Sequence, residues 1–281
     1  MVRPTQATAR DEPAAVLAGG VAIGSDTFTL IARVHAAGAV EDVEDAAALA
    51  VQGRAALLDI GRAWQTLGLE AVVACQRASG LPAVCAVAEP GEVAAAAEVA
   101  GMLRVPAGAL AGSLLARALG RAGCPVLLDS DPAGVQAWLR AAERIEREGG
   151  GPVVLCAPGG GPAQAAAHGL DLAAVPSLRA ASGLPLVVDA TGAERGHKNA
   201  AALARAAAAV CADGVVVAVD SRRAGAAAEP AGMAADELDG LTSELEAVTA
   251  AVGRRMAGRR IRYVGGGRGD FGSPARRWHR P

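Results

Sequence analysis

The chain has 281 residues, a formal net charge of −2, 52% hydrophobic residues and only 2% aromatics. This length fits one large α/β barrel or two small domains, with a core built from Ala, Val and Leu. The near-neutral balance excludes a general pull toward nucleic acid or an anionic membrane, and no charge-free apolar run is long enough to predict a membrane span.

Residues 1–24 read as a flexible leader. Asp11 and Glu12 stand where a signal peptide would carry basic residues. Residues 25–256 then alternate between short apolar runs and longer Ala/Leu-rich stretches of helical period. The runs predict strands at 28–32, 55–59, 83–87, 102–105, 126–128, 153–156, 186–189 and 215–219. Turn signals precede several of them, including Gly80-Leu81-Pro82, Cys124-Pro125, Gly151-Pro152 and Gly183-Leu184-Pro185. Helices are predicted over 90–100, 132–148, 200–212 and 236–256. The strands lack in/out polarity alternation, so both their faces are covered and the sheet is parallel. Eight such units predict a single-domain (β/α)8 TIM barrel, with a doubly wound open sheet as the alternative. Residues 257–281 carry Gly265-Gly266-Gly267 and many arginines. They read as a disordered basic tail, with an arm that docks a partner protein or a polyanion as the sharper reading. Tyr263 and Trp278 are too few aromatics to suggest nucleic-acid binding.

Five cysteines, Cys75, Cys85, Cys124, Cys156 and Cys211, occur without a CxxC pair. They read as reduced core thiols in a cytoplasmic protein. Lys198 is the only lysine, so any lysine chemistry has one candidate.

In a barrel of this type, chemistry sits at the C-terminal ends of the strands. Those ends carry Arg33, His35, Asp59, Cys85, Asp129, Ser130, Cys156, Asp189, Thr191 and Asp220. Four aspartates would converge with one arginine and one histidine, raising some carboxyl pKa values or recruiting a cation. Asp129, Asp189, His35 and Asp220 are the catalytic candidates. Arg33, Asp59, Cys85, Ser130, Cys156 and Thr191 are the substrate-binding candidates. Asp59 and Asp220 could equally be turn or capping residues.

At these positions the chain resembles the class I 3-deoxy-7-phosphoheptulonate (DAHP) synthases and the related 3-deoxy-octulosonate phosphate synthases. The phrases are Phe28-Thr29-Leu30-Ile31-Ala32, Gly80-Leu81-Pro82-Ala83-Val84, Cys124-Pro125-Val126-Leu127-Leu128 and Val153-Val154-Leu155-Cys156. Further matches are Leu170-Asp171-Leu172-Ala173-Ala174-Val175-Pro176 and Leu184-Pro185-Leu186-Val187-Val188-Asp189. Order and spacing hold over roughly residues 26–250. The resemblance implies a barrel that condenses phosphoenolpyruvate with a sugar phosphate at a divalent metal. It also implies homo-oligomers, and for some members association with chorismate mutase.

The functional positions of that family are largely replaced. Its metal-binding Gly-Pro-Cys reads Arg33-Val34-His35. Its phosphate loop Lys-Pro-Arg-Thr-Ser is missing between Gly61 and Gly68, where Arg62 is the only charge. Thr-Glu reads Cys85-Ala86, Gly-Ala-Arg-Asn reads Pro106-Ala107-Gly108-Ala109, and Lys-Arg reads Asp129-Ser130. Glu-Arg-Gly reads Ala157-Pro158-Gly159, Asp-Pro-Ser-His reads Asp189-Ala190-Thr191-Gly192, and Glu-Val-His reads Ala218-Val219-Asp220. The last metal-binding aspartate falls near Glu229. Cationic donors must offset two substrate phosphates, and here nearly all are gone. The family's reaction is therefore expected to be absent, and no cofactor is expected. His35, Asp220 and Glu229 are the candidates for a weak divalent-metal site. The expected function is acid/base chemistry on a non-phosphorylated small molecule, in the specialised metabolism that divergent relatives can serve. The alternative is a pseudoenzyme that scaffolds a partner through its outer helices or basic tail.

Overall fold

A computed structural model describes residues 15–34, 38–159, 172–191, 197–220 and 232–258. Two short strands come first, β1 (Val16–Ala18) and β2 (Val21–Ile23). The barrel strands follow in chain order: β3 (Thr27–Val34), β4 (Leu57–Gly61), β5 (Ala83–Ala86), β6 (Met102–Pro106), β7 (Val126–Asp129), β8 (Val153–Pro158), β9 (Leu186–Asp189) and β10 (Gly214–Val219). Each pairs in parallel with the next, and β10 pairs back onto β3, so the sheet closes. This is the eight-stranded parallel barrel read from the sequence, with helices between strands. A ninth parallel strand, β11 (Arg255–Met256), adds to the start of β3.

The burial pattern explains the closure. Strand residues of one parity face the helices and join the larger core cluster, as Ala83 and Cys85 of β5 do. Those of the other parity face the lumen. Ile31, Leu57, Val84, Met102, Leu127, Val154, Val187 and Val216 form one apolar layer across all eight strands. Small and branched side chains fill this layer, so the lumen is a packed core rather than a pore.

The leader expected over 1–24 is not flexible throughout. Val16 pairs with Ile23 and Ala18 with Val21 in an antiparallel hairpin. Gly19 and Gly20 both have positive φ, 54° and 91°, which suits a two-residue hairpin turn. Val16, Ala18, Val21 and Ile23 are buried against the apolar lumen layer. Burying these four side chains stabilises the N-terminal end of the barrel; in between, Leu17 faces outward. The period-two pattern was present in the sequence, but its partner surface exists only once the barrel has closed.

Two helices also differ from expectation. The helix predicted over 132–148 is Val135–Arg147, because Gly134 takes φ 99° just before it. The helix predicted over 236–256 ends at Ala251. Gly253 turns the chain, and Arg254 is drawn under the barrel to Asp213. The tail predicted from 257 lies outside the described residues apart from Ala257 and Gly258. Among the described residues, no helix is long and apolar enough to cross a membrane.

Candidate active site at the barrel mouth

Alternation along each strand builds the site. Two residues beyond the apolar lumen layer, the side chains again face inward, one level closer to the mouth. That step leads from Ile31 to Arg33, Leu57 to Asp59, Met102 to Arg104, Leu127 to Asp129, Val154 to Cys156 and Val187 to Asp189. The upper lumen layer is therefore ionic. Trp138 steadies it from behind by donating its indole N–H to the Leu128 carbonyl on β7, at 3.1 Å.

Arg104 stands at the centre and is 5% exposed. Its Nη1 donates to Asp59 Oδ2 at 2.8 Å and its Nε to Asp129 Oδ2 at 3.1 Å. Its Nη2 reaches Asp129 Oδ1 at 2.9 Å and also donates to Asp189 Oδ2. Arg33 flanks this network, 3.4 Å from Asp189 and 3.7 Å from Asp59. Of the four aspartates expected to converge, Asp59, Asp129 and Asp189 share these guanidiniums. Three aspartates converge, and the cation they recruit is a second arginine of the same chain.

The three carboxylates are not equivalent. Asp59 is fully buried, and its Oδ1 accepts the Gly61 N–H at 2.8 Å. A register shift between Asp59 and Gly61, with Gly61 at φ 55°, turns that N–H onto the carboxylate. Asp189 accepts both the backbone N–H and the hydroxyl of Thr191, at 2.9 and 2.6 Å. Burial works against its charge, but Arg104 and Thr191 outweigh that and hold its pKa below the ordinary carboxylate value. Asp129 is the most exposed of the three, with 29% of its side chain accessible. Burial, with Asp189 and Asp59 nearby, raises its pKa despite Arg104. Three carboxylates face two guanidiniums, and Asp129 is the one whose charged form is disfavoured. For Arg104, burial opposes the charged form, but Cys156 and the three aspartates around it leave its pKa raised.

The other sequence candidates divide. Cys156 faces the lumen beside Asp129, and burial drives its thiol pKa far up, so it stands as a neutral thiol. Cys85 belongs to the opposite parity, fully buried in the cluster between strands and helices, which corrects its expected role in substrate contact. Its thiol is also pushed up, by burial and then by Asp59. Thr191 orients Asp189. Ser130 is half-buried, with its backbone N–H on the Cys156 carbonyl at 3.1 Å. Asp220 accepts the Gly232 N–H at 3.0 Å, and the ion pairs of Arg33 and Arg104 go to the other three aspartates rather than to it. His35 and Glu229 lie outside the described residues, as does the side chain of Lys198.

Arg104 was missed in the sequence. Its signal was a single charge inside an apolar strand, in phase with Met102. The described residues of the mouth do not form a divalent-metal site. The carboxylates at the centre already hold a guanidinium where a cation would sit, and Asp220 serves a loop backbone. Among the described residues, no group of three His, Cys, Asp or Glu is arranged to hold a metal ion.

Comparison with known proteins places this site in context. A truncated 3-deoxy-D-arabino-heptulosonate 7-phosphate synthase from Thermotoga maritima superposes with a TM-score of 0.77 at 24% identity, covering 88% of this chain and 96% of that one. A phospho-2-dehydro-3-deoxyheptonate aldolase (DAHP synthase) structure from Thermotoga maritima gives 0.78 at 24% identity, covering 91% of this chain and 79% of the other. At this identity the likeness establishes the fold. No curated protein matches the sequence. The DAHP synthetase I family model matches residues 13–252, most of the chain, and the protein belongs to that family.

Proposed function

We propose that this family member does not condense phosphoenolpyruvate with a sugar phosphate, and that its mouth performs acid/base chemistry on a small non-phosphorylated molecule. The observation that carries this reading is Arg104. Its guanidinium is committed to three aspartates of its own chain, and the described mouth carries more carboxylates than cations. A phosphate entering there would meet net negative charge with only Arg33, itself facing Asp59 and Asp189, to offset it. An uncharged or cationic molecule would not.

Asp129 is the proton-exchanging group in this reading. Its carboxyl is accessible and its pKa raised, as a general acid or base requires. Arg104 is the positioning group that holds Asp129 in place, and Arg104 and Asp189 together set its charge. Arg33, 32% exposed at the side chain, offers the substrate a donor. Cys156, as a neutral thiol, is not a nucleophile. Ser130 and Asp220 complete the described candidates, and His35, which follows β3 in the sequence, remains a further one. A second reading, an inactive scaffold for a partner protein, draws support from the same Arg104: a guanidinium that satisfies all three carboxylates also makes a purely structural lock.

Asp129→Asn separates the two. The folded protein disfavours the charged form of Asp129, so its stability contribution is fully present below the unfolded carboxyl pKa and is lost as pH rises through the folded one. The neutral amide is therefore expected to keep or raise the melting temperature at pH 7. A screen of uncharged and amine-bearing compounds by thermal shift and turnover should give a hit in the wild type. That hit should fall about 10²-fold or more in the variant. An equal response in both would favour the scaffold. Incubation with phosphoenolpyruvate, erythrose 4-phosphate and Mn²⁺ is expected to leave the phosphoenolpyruvate unconsumed; steady product formation would overturn the proposal.

A further inference from the structure

A cavity of about 220 Å³ opens in the outer helical layer between the 3-10 turn Ala107–Ala111 and the helix Val135–Arg147. None of the mouth residues lines it. Arg140, Arg144 and Arg147 do. Their spacing of four and three puts all of them on one face of the helix. Arg144 donates to the carbonyls of Leu110 and Ala111, the latter at 3.0 Å, and so ties the helix to the turn. Arg147 makes only a long Nε bond to the Glu143 carbonyl, 3.3 Å. Arg140 makes no hydrogen bond or ion pair among the described residues.

This concentration of unpaired charge is unusual within the chain. Every other described arginine except Arg77 and Arg121 has a carboxylate within ion-pair distance. Here three guanidiniums face one lining carboxylate, Asp131, whose Oδ1 already accepts the Ala133 N–H at 2.8 Å. The rest of the wall is apolar, with Leu110, Ala137 and Ala141. Guanidiniums that share a concave site favour an anion. The volume is below the roughly 300 Å³ at which drug-sized pockets begin, so the ligand is small.

We propose that this cavity is a binding site for a small organic acid, its anionic head held by Arg140 and Arg147 and its apolar body set against Leu110, Ala137 and Ala141. Arg144 is the structural floor of the site. The site is independent of the chemistry at the barrel mouth.

The test is calorimetric titration of the full chain with benzoate, with inorganic phosphate and benzylamine as comparators. Saturable benzoate binding is expected, with weaker phosphate binding and no benzylamine binding. The double variant Arg140→Ala/Arg147→Ala should bind benzoate at least tenfold more weakly at an unchanged melting temperature, because both side chains are exposed. Asp129→Asn should leave benzoate binding as in the wild type. Absence of saturable benzoate binding would overturn the proposal. So would benzoate affinity that survives the double substitution or falls with Asp129→Asn, phosphate binding without benzoate binding, or equal binding of benzylamine.

Discussion

Replacing Arg104 by methionine is expected to cost about 3–5 kcal/mol of folding stability at neutral pH, the usual result of removing one partner from a buried charge network. Methionine matches much of the volume, so little of the loss would come from a cavity. It would come from carboxylates left in the upper lumen without the guanidinium that offsets their desolvation. The dependence on pH should also reverse. In the wild type, Asp189 has a lowered pKa. Its contribution is present above the unfolded carboxyl value and is lost as pH falls through the folded one. In Arg104→Met the abandoned carboxylates would have raised folded pKa values. The variant would then be closest to wild type in acid and would lose stability as pH rises. Urea denaturation at several pH values measures this directly, and parallel stability curves for the two proteins would rule it out.

Asp213→Ala should produce a loss of similar size at the opposite end of the barrel. Asp213 is fully buried just before β10. It accepts from Arg179 Nε and Nη2 at 2.6 and 2.8 Å, from Arg254 Nη2 at 2.6 Å and from the Leu186 N–H at 2.8 Å. Alanine would leave two guanidiniums and the first N–H of β9 without their acceptor, again about 3–5 kcal/mol. The effect should reach further than the pair. Arg254 also donates to the carbonyls of Cys211, Ala212, Ser25 and Thr27, and so ties the segment after the helix Ala235–Ala251 to the seam where β10 meets β3. Its Nε is buried with no hydrogen-bond partner among the described residues. Asp213→Asn, which keeps one acceptor, should cost less than the alanine. Equal losses for the two, or a loss under about 1 kcal/mol for alanine, would show that the latch does not depend on this charge.

The two clusters differ in what they imply. The one around Asp213 has two cations for one anion and no accessible carboxylate, which is the profile of a structural latch. The one around Arg104 has more anions than cations and leaves Asp129 exposed with a raised pKa, the combination expected of a group that exchanges protons. Both are built from the same residue types, so composition alone would not tell them apart.

What the sequence determined by itself was the fold and the family. Eight apolar runs without polar alternation require a sheet covered on both faces, and their regular spacing with helices between them points to a closed parallel barrel, with the doubly wound open sheet as the alternative that the β10–β3 pairing removes. The strand-end positions of Asp59, Asp129 and Asp189 followed from that reading, because a site of this fold lies where the strands end. What only the tertiary structure decided was which of those side chains meet. Arg104 looked like part of a strand, and Cys85 like part of the site, because both stand near a strand end. The parity of each strand decided the matter: Arg104 is in phase with Met102 and enters the lumen, whereas Cys85 is in phase with Ala83 and faces the helices. The hairpin at Val16–Ile23 was obscure for a related reason. Its apolar face has no neighbour in sequence to bury against, and the surface that covers it is assembled from all eight strands only when the barrel closes.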